Sequence, residues 1–402
     1  MADLLKLGIV LALILLLIAR RWNLGLVLVL ASLLLGLLFR RPLLDLGGDA
    51  LTALFDPLTL RLAAIVVLIL TLGEMLRRTA QLDGMIHSLE QLIPDTRIVL
   101  AVIPALIGLL PMIGGAMFSA PMVDRIGKEL NASAERKMFV NYWFRHIWEY
   151  IFPLYPSFLL GAAMLGISPQ RATAVLWPLA IASIAGGVIF GLLGIRRQRQ
   201  AGTATDTRAS LRELASSVWP IALVLLLSIA IGIDLIVSLL VTILLLALLK
   251  RIGPRQFWDI GRRHIRWDTV VVIAGAMIFR QVLETTGSIA AASQALARAN
   301  VPVSVAVFVI PFAAGLLSGL GTAAFAIGFP IVLPLIGNSP VDPGWAAWAW
   351  TGGFMGVMMS PLHLCLALTR VYFQADWGLL YRRVTPAVLL SVAAAGLMVL
   401  VL

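Results

Sequence analysis

One apolar segment occurs twice in the chain, as IPALIGLL at residues 103–110 and as IPFAAGLL at residues 310–317. The residues after the two copies also match at a constant offset of 207 positions: Gly114 with Gly321, Ala116 with Ala323, and Phe118 with Phe325. Further matches lie at offsets of 205 and 208: Pro156 with Pro361, and Pro178 with Pro386. A near-constant offset over about 100 residues predicts two structural repeats, at residues 1–195 and 216–402.

The composition predicts a membrane protein. Of the 402 residues, 60% are hydrophobic and 13% are charged, and the mean hydropathy is +0.99, whereas globular proteins carry about 25% charged residues. The net charge of +11 comes from short basic runs between apolar segments, which is typical of cytoplasmic loops and not of a nucleic-acid surface. The single cysteine, Cys365, excludes a disulfide framework, and four histidines supply no spaced metal-binding set. We therefore expect an all-α polytopic membrane protein without a nucleic-acid partner.

Two apolar segments are too long for one membrane crossing. Residues 98–127 and 303–337 exceed the ~20 residues that a spanning helix needs, and glycine and proline interrupt both near the middle. We expect each to form a re-entrant hairpin. The other apolar segments lie at 4–19, 23–39, 60–76, 138–167, 174–195, 217–232, 234–249, 269–283, 344–369 and 385–402. A basic pair, Arg20 and Arg21, follows the first of these instead of preceding it, so residues 4–19 predict a spanning helix and not a signal peptide.

The distribution of basic residues predicts the topology. The polar segment 196–215 carries five arginines and is expected to be a cytoplasmic linker. The loop at 250–268 has six Lys or Arg against two Asp, while its counterpart at 40–61 has three Arg against three Asp. Because corresponding loops with such different charge are expected on opposite sides, we predict inverted repeats of five spanning helices, with both termini extracytoplasmic and the protein in the inner (plasma) membrane.

Helix breaks within the membrane are the best sequence pointers to a site, because irregular backbone survives there only inside protein or beside a cavity. The breaks occur in pairs: hairpin tips at 111–115 and 318–322, and broken helices at 153–157 and 360–363. Each tip begins a half-helix whose N–H groups attract anions, while tip carbonyls can bind a cation. The alternative is that glycines there only allow close helix packing.

These breaks supply the predicted substrate-binding residues: Gly114, Gly115, Ser119, Pro156, Ser157, Ser318, Gly319, Gly321, Thr322, Ser360, Pro361 and His363. Sodium is the one metal ion considered, held by backbone carbonyls at 112–115 and 319–322. We predict no other cofactor besides a coupling Na⁺ or H⁺.

A polar stripe supplies the predicted coupling residues. Asn141, Arg145 and Glu149 recur at i, i+4 and i+8, which places them on one helix face, and His146 lies one turn from Glu149. Ionisable groups inside a span are costly and point to function. Arg145 can bind an anion, and Glu149 or His146 can move a proton. The alternative is that Arg145 and Glu149 merely pair near the cytoplasmic end of the helix.

The segment LPMIGGAMFSAP at 110–121 is similar to the first hairpin of a functionally unassigned integral-membrane branch of the ion transporter superfamily, and the whole architecture resembles that superfamily. Its members include gluconate, arsenite and dicarboxylate permeases. The resemblance implies a homodimer with a scaffold and a moving transport part, working by elevator-like alternating access. This chain departs from the sodium-coupled dicarboxylate members, since neither tip carries Ser-Asn-Thr.

Together these features predict a secondary active transporter of a small anion, a carboxylate or an oxyanion, driven by a proton or sodium gradient. An enzyme is disfavoured, because the chain contains neither a His-Glu-x-x-His zinc motif nor a Gly-x-Ser-x-Gly elbow. An intramembrane enzyme, whose acid, base and nucleophile would have to meet in the fold, and an anion channel or scaffold remain the alternatives.

Overall fold

The computed structural model describes residues 2–20, 22–109, 115–196, 206–260, 267–288, 301–337 and 341–401. The regular elements in these ranges are all helices, which confirms the predicted all-α class.

The first half contains ten α-helices in the described residues: α1 Ala2–Ala19, α2 Leu24–Leu38, α3 Leu43–Phe55, α4 Pro57–Arg78, α5 Gln81–Leu92, α6 Thr96–Gly108, α7 Ala116–Glu129, α8 Ala134–His146, α9 Pro156–Met164 and α10 Pro169–Gly187. A 3₁₀ turn at Ile147–Tyr150 follows α8, and a π-helical turn at Val188–Leu192 extends α10.

The second half contains nine in the described residues: α11 Thr207–Leu225, α12 Leu235–Leu249, α13 Pro254–Asp259, α14 Trp267–Thr285, α15 Val303–Ser318, α16 Gly321–Val332, α17 Pro343–Met359, α18 Leu364–Phe373 and α19 Trp377–Val401. A π-helical turn at Leu226–Ala230 extends α11, and a 3₁₀ turn at Leu333–Leu335 follows α16. Because α11 begins at Thr207, the end of the predicted 196–215 linker is helical; residues 197–205 lie outside the described ranges.

Five helical segments of the described chain are long and apolar enough to cross a bilayer: Pro57–Arg78, Pro169–Leu192, Thr207–Ala230, Pro343–Phe373 and Trp377–Val401. Shorter apolar helices accompany them, at Leu5–Ile18, Leu24–Leu38, Thr96–Gly108, Leu235–Leu249, Val303–Ser318 and Gly321–Leu335. A helical membrane protein follows from these lengths and compositions.

Polar residues begin several of these helices. Asn23 accepts a hydrogen bond from Gly25 N–H at 2.9 Å at the start of α2, and Asp56 does the same for Leu58 at the start of α4. Asp234 caps α12 and also forms an ion pair with the guanidinium of Arg61. Caps of this kind satisfy N–H groups that have no partner within the helix.

Glycines let neighbouring helices approach closely. A β-carbon on Gly25 of α2 would collide with the backbone of Val271 in α14, and one on Gly275 of α14 would collide with the backbone of Gly25. On α17, a β-carbon on Gly352 or Gly356 would collide with the backbone of α15. Small residues at such crossings are typical of helix packing in membranes.

Both overlong apolar segments consist of two helices in contact. In the first, α6 ends at Gly108 and α7 begins at Ala116; the two pack against each other, and residues 110–114 lie outside the described ranges. In the second, α15 ends at Ser318 and α16 begins at Gly321, again in contact. The interruptions therefore fall where glycine is concentrated.

Two further expectations differ from the structure. The 40–61 segment is not an extended loop, because it contains α3, which packs against α4 and α14. The polar stripe is not one continuous α-helical face either. The α-helix ends at His146, and Glu149 lies in the 3₁₀ turn that follows. The Glu149 side chain therefore does not point in the direction that an uninterrupted α-helix, counted from Asn141, would give it.

Candidate functional site

A cavity of about 570 Å³ lies where the helix breaks of the two halves meet. Its walls come from α4, the end of α8 with the turn after it, the start of α9, the start of α14, the 319–322 tip, and the segment between α17 and α18. Volumes of this size hold small-molecule ligands.

The end of α8 contributes two buried polar side chains. Arg145 is 3% exposed and His146 is 1% exposed. The His146 Nδ1 atom lies 2.6 Å from the Tyr142 carbonyl oxygen, one turn back on α8, so Nδ1–H donates to it. The His146 Nε2 atom is left facing the cavity, with an Arg145 Nη1 atom at 3.4 Å and a Glu149 carboxylate oxygen at 3.9 Å.

Two side chains hold the segment that follows α8 against α6. The indole N–H of Trp148 donates to the Ala105 carbonyl at 2.7 Å, and the buried Tyr155 hydroxyl donates to the Gly108 carbonyl. A β-carbon on Gly108 would collide with the Arg145 carbonyl. This glycine therefore lets α6 press on the backbone that presents Arg145.

The tip between α15 and α16 is tight and needs its glycine. Gly319 has φ +68°, and a β-carbon there would lie 2.6 Å from the backbone nitrogen of His363. The Ser318 hydroxyl donates to the Ala314 carbonyl at 2.6 Å and accepts from Leu320 N–H at 3.2 Å, which braces the turn. Among the described residues no side chain caps α16, and its first residues, Gly321 and Thr322, line the cavity.

His363 connects this tip to the first half of the chain. Its Nδ1 atom lies 2.7 Å from the Gly319 carbonyl oxygen and donates to it, and its Nε2 atom lies 3.1 Å from His146 Nε2. The break after α17 is itself attached to α15, because the Ser360 hydroxyl donates to the Leu316 carbonyl at 2.6 Å.

A protein-family model matches residues 2–402, which is nearly the whole chain. The chain belongs to the DUF401 family. The members of that family are described as proteins of unknown function. No curated protein matches the chain.

In this DUF401 chain the cavity brings together nine of the residues predicted from sequence: Arg145, His146, Glu149, Pro156, Ser157, Gly319, Gly321, Thr322 and His363. They come from both halves. Gly321 lies so near the other break that a β-carbon on it would be 3.0 Å from Ser157 Cβ and 3.9 Å from a Glu149 carboxylate oxygen.

Other predicted residues lie away from the cavity wall. The Ser119, Ser318 and Ser360 hydroxyls donate to backbone carbonyls. Asn141 uses its amide to donate to the Ala116 carbonyl at 2.9 Å, which holds the start of α7. We therefore assign these four side chains a structural role, since a hydroxyl or amide in an apolar span forms a hydrogen bond with a nearby backbone carbonyl.

The remaining predicted positions do not line the cavity in the described part of the chain either. Gly115 is buried where α7 begins, and Pro361 is exposed. Gly114 and the carbonyls at 112–114 lie outside the described residues. Of the predicted sodium-binding carbonyls, that of Gly319 accepts from His363 and that of Leu320 accepts from Ala324 N–H and the Ser318 hydroxyl.

Sequence reasoning missed several cavity residues: Asn23, Glu74, Arg77, Tyr155, Asp268 and Cys365. The position of Cys365, two residues after His363 at a predicted break, was a usable signal. Glu74 and Arg77 form an ion pair of 2.7 Å, and Arg77 is 47% exposed, which marks this end of the cavity as the open one.

Cys365 completes a group of three donor atoms with the two histidines. Its sulfur and the imidazole nitrogens lie within 4.8 Å of one another, and no other such group of three occurs in the described part of the chain. Imidazole and thiolate are transition-metal ligands. The Arg145 guanidinium stands 3.4 Å from one of these nitrogens, and a Glu149 carboxylate oxygen lies 3.9 Å from the same atom. We assign no metal to the group.

Proposed function

We propose that this DUF401 chain is a secondary active transporter of a small anion, a carboxylate or an oxyanion. One observation carries the proposal: a buried arginine, Arg145, and the start of α16 at Gly321, which no described side chain caps, line the same cavity. A guanidinium gives two parallel N–H donors to a carboxylate or phosphate-like group. The first N–H groups of a helix, at the positive end of its dipole, bind the same kind of ligand.

The rest of the wall suits a small organic anion. Ile69, Leu70, Val272, Leu320 and Leu364 are apolar and surround the polar positions. A ligand with a short carbon skeleton and a carboxylate would place its apolar part on these side chains, because most binding cavities orient a ligand by few polar groups on an apolar wall.

The repeated helix order supports alternating access as the mechanism. The helices from α6 to α10 are followed at an offset near 207 by those from α15 to α19, each set with a two-helix hairpin and a broken helix. In our proposal the two sets are inverted, the hairpins are re-entrant, and the transport part moves against a scaffold in a homodimer. The open end of the cavity lies at Glu74 and Arg77, near the C-terminal end of α4. If the N-terminus is extracytoplasmic and α1, α2 and α4 each cross the membrane, that end of α4 is cytoplasmic, so in our proposal this conformation faces inward.

The coupling ion in this proposal is a proton or a sodium ion. Glu149 and His146 face the cavity beside Arg145, so an ion that changes their charge would also change the attraction for an anion. Backbone carbonyls near the tips are the sodium alternative. The inner (plasma) membrane is the location proposed from the cytoplasmic basic loops.

An intramembrane enzyme is the second candidate, because the fold brings a thiol, two imidazoles and a carboxylate together. Cys365, His146, His363 and Glu149 all line the cavity. A thiol beside an imidazole is the arrangement of a cysteine nucleophile and its base. The variant Cys365→Ser separates the two candidates, since an enzyme of this kind loses its activity and a transporter keeps its anion current.

The direct test is electrical. Purified protein is reconstituted in liposomes, and uptake currents are recorded for acetate, succinate, citrate, gluconate and sulfate under a proton gradient and then under a sodium gradient. A saturable current for one anion, dependent on one gradient, supports the transporter. The matched variants are Arg145→Gln in the cavity and Arg280→Gln at a partly exposed position on α14, outside the cavity wall. Equal currents in both variants would remove Arg145 from the anion site.

A further inference from the structure

The two histidines of the cavity form more hydrogen-bonding contacts than two neutral rings can supply with protons. Three contacts join them to their surroundings and to each other: His146 Nδ1 to the Tyr142 carbonyl at 2.6 Å, His363 Nδ1 to the Gly319 carbonyl at 2.7 Å, and Nε2 to Nε2 at 3.1 Å. Each contact needs one proton, since a carbonyl oxygen only accepts and two ring lone pairs repel. A neutral imidazole carries one N–H, so two neutral rings carry two protons. One further proton on the pair satisfies all three contacts.

We propose that His146 and His363 share one proton between their Nε2 atoms, and that this proton is the coupling ion of the transporter. The first part stands on the geometry alone, while the coupling role rests on the proposed transport of an anion. The pair with its third proton carries one positive charge.

The neighbouring groups indicate where the third proton is held. The Arg145 Nη1 atom, a donor, lies 3.4 Å from His146 Nε2, which favours that nitrogen as an acceptor. The proton is therefore covalently bound to His363 Nε2 and donated to His146. A Glu149 carboxylate oxygen 3.9 Å from His146 Nε2 offsets the charge.

Other charged and titratable groups face the pair from every side of the cavity. The Tyr142 ring packs at a tilt against both imidazoles, with ring centroids at 4.8 and 5.7 Å, and Cys365 lies within the three-donor group. The wall adds Tyr155 from the turn before α9, Glu74 and Arg77 from α4, and Asp268 from α14. Arg145 is the cation in contact with the pair, and Glu149 is the nearest carboxylate described.

Loss of the shared proton would loosen the tip. Without it, either the two Nε2 lone pairs face each other at 3.1 Å, or one Nδ1–H leaves its carbonyl. Either change weakens the hydrogen bonding between His146 at the end of α8 and His363 in the second broken helix, and departure of the His363 Nδ1–H frees the Gly319 carbonyl. The proton enters from cavity water onto His363 and returns to cavity water when the site faces the other side. Opening of the tip and release of an anion are thereby linked to release of one proton.

The proton can be observed without any substrate. Protein labelled with ¹⁵N-histidine is placed in lipid nanodiscs in sodium-free buffer, and nitrogen NMR spectra are recorded between about pH 5 and pH 9 around the ordinary imidazole range. The chain has four histidines, so His87→Gln and His264→Gln assign the two outside the pair. We expect a nitrogen–nitrogen coupling across the Nε2 pair in wild type and in His87→Gln, and its complete loss in His363→Gln.

Three results would overturn the shared proton. Two independent neutral rings throughout this pH range would remove it, and so would a coupling that survives in His363→Gln. The third is a metal ion in its place, recognised by about one zinc or copper per purified chain in elemental analysis and by spectra that change on adding EDTA.

The coupling role is decided by the liposome currents. An anion current driven by the proton gradient in wild type and by neither gradient in His363→Gln is the expected result. A current driven only by sodium overturns the coupling role while the transporter stands. A shared proton in the spectra together with silence for every anion tested counts against the transporter and its coupling but leaves the proton pair established.

Discussion

Gly321 and Ser157 meet across the cavity, although they begin half-helices in opposite halves of the chain. A β-carbon on Gly321 would lie 3.0 Å from Ser157 Cβ and 3.3 Å from its hydroxyl oxygen. Contacts this close are tighter than ordinary van der Waals contact, so a side chain at position 321 would require Ser157 to shift by a few tenths of an ångström. The position therefore offers a direct test of whether a ligand needs this space.

We expect Gly321→Leu to abolish anion transport while most of the protein remains folded, because the added side chain would fill the space between the breaks. The control is Gly48→Leu on α3, where an added β-carbon meets open space. Uptake currents and size-exclusion profiles of the two variants are compared with wild type. Transport that survives in Gly321→Leu would show that the α16 start is not part of the site.

Arg145→Lys separates charge from shape at the anion site. Lysine keeps the positive charge but loses the planar pair of donors, so we expect the half-saturating anion concentration to rise by about 10-fold to 100-fold, the equivalent of one charge-assisted hydrogen bond. Arg280→Lys, at a partly exposed position on α14 outside the cavity wall, should leave the half-saturating concentration unchanged. The measurement is the concentration dependence of the current. An unchanged half-saturating concentration in Arg145→Lys would mean that the anion does not contact the guanidinium.

Glu149→Gln should uncouple anion movement from its driving ion. The carboxylate lies 3.9 Å from His146 and 12% of its side chain is exposed, so its neutralisation removes the negative charge that offsets the histidine pair. The ratio of ions to anions, read from reversal potentials, is the quantity to measure, with Glu284→Gln as the exposed control. If the ratio is the same in wild type and Glu149→Gln, the carboxylate serves the structure only.

Acid should weaken the contact between α3 and α14. The hydrogen bond from Arg41 holds the pKa of Asp49 below its usual value, although burial opposes this, and Thr285 of α14 donates a further bond at 3.0 Å. A lowered folded-state pKa means that the stabilisation is present above the ordinary pKa of about 4 and is lost as pH falls through the folded value.

Asp49→Asn should therefore lower the free energy of unfolding by about 1–2 kcal/mol at neutral pH and reduce its dependence on acid. The matched control is Asp45→Asn, an exposed position on the same helix. Thermal unfolding in detergent between about pH 3 and pH 7 measures both. Identical acid dependence of wild type and Asp49→Asn would contradict the assignment.

The inverted topology can be read from labelling. In a Cys365→Ser background, cysteines replacing Asp45 on α3 and Arg255 on α13 should react with an impermeant maleimide from opposite sides of the membrane. Both positions are exposed, so a difference in labelling reports the side and not the burial. Reaction of both from one side would exclude inverted repeats.

Much of the fold follows from local features of the sequence. Glycine and proline interrupt the two overlong apolar segments, and the helices end near those residues, because φ restrictions and missing N–H groups act within a few residues. The polar stripe was predicted in part: Arg145, His146 and Glu149 face the cavity, while Asn141 instead holds α7. Periodicity could not foresee that the α-helix ends at His146, because a change to a 3₁₀ turn moves every later side chain.

By itself, the sequence determined the all-α membrane class, the repeated order of helices and the positions of the breaks, because hydropathy, glycine and proline act over short distances along the chain. Only the tertiary structure decided which breaks meet. It placed His363 3.1 Å from His146, 217 positions away, brought Cys365 beside them, and turned the Ser119, Ser318 and Ser360 hydroxyls onto backbone carbonyls. The physical reason is that contacts between distant side chains depend on how whole helices pack, and a hydroxyl in an apolar span takes the nearest carbonyl whether or not a ligand site lies close by.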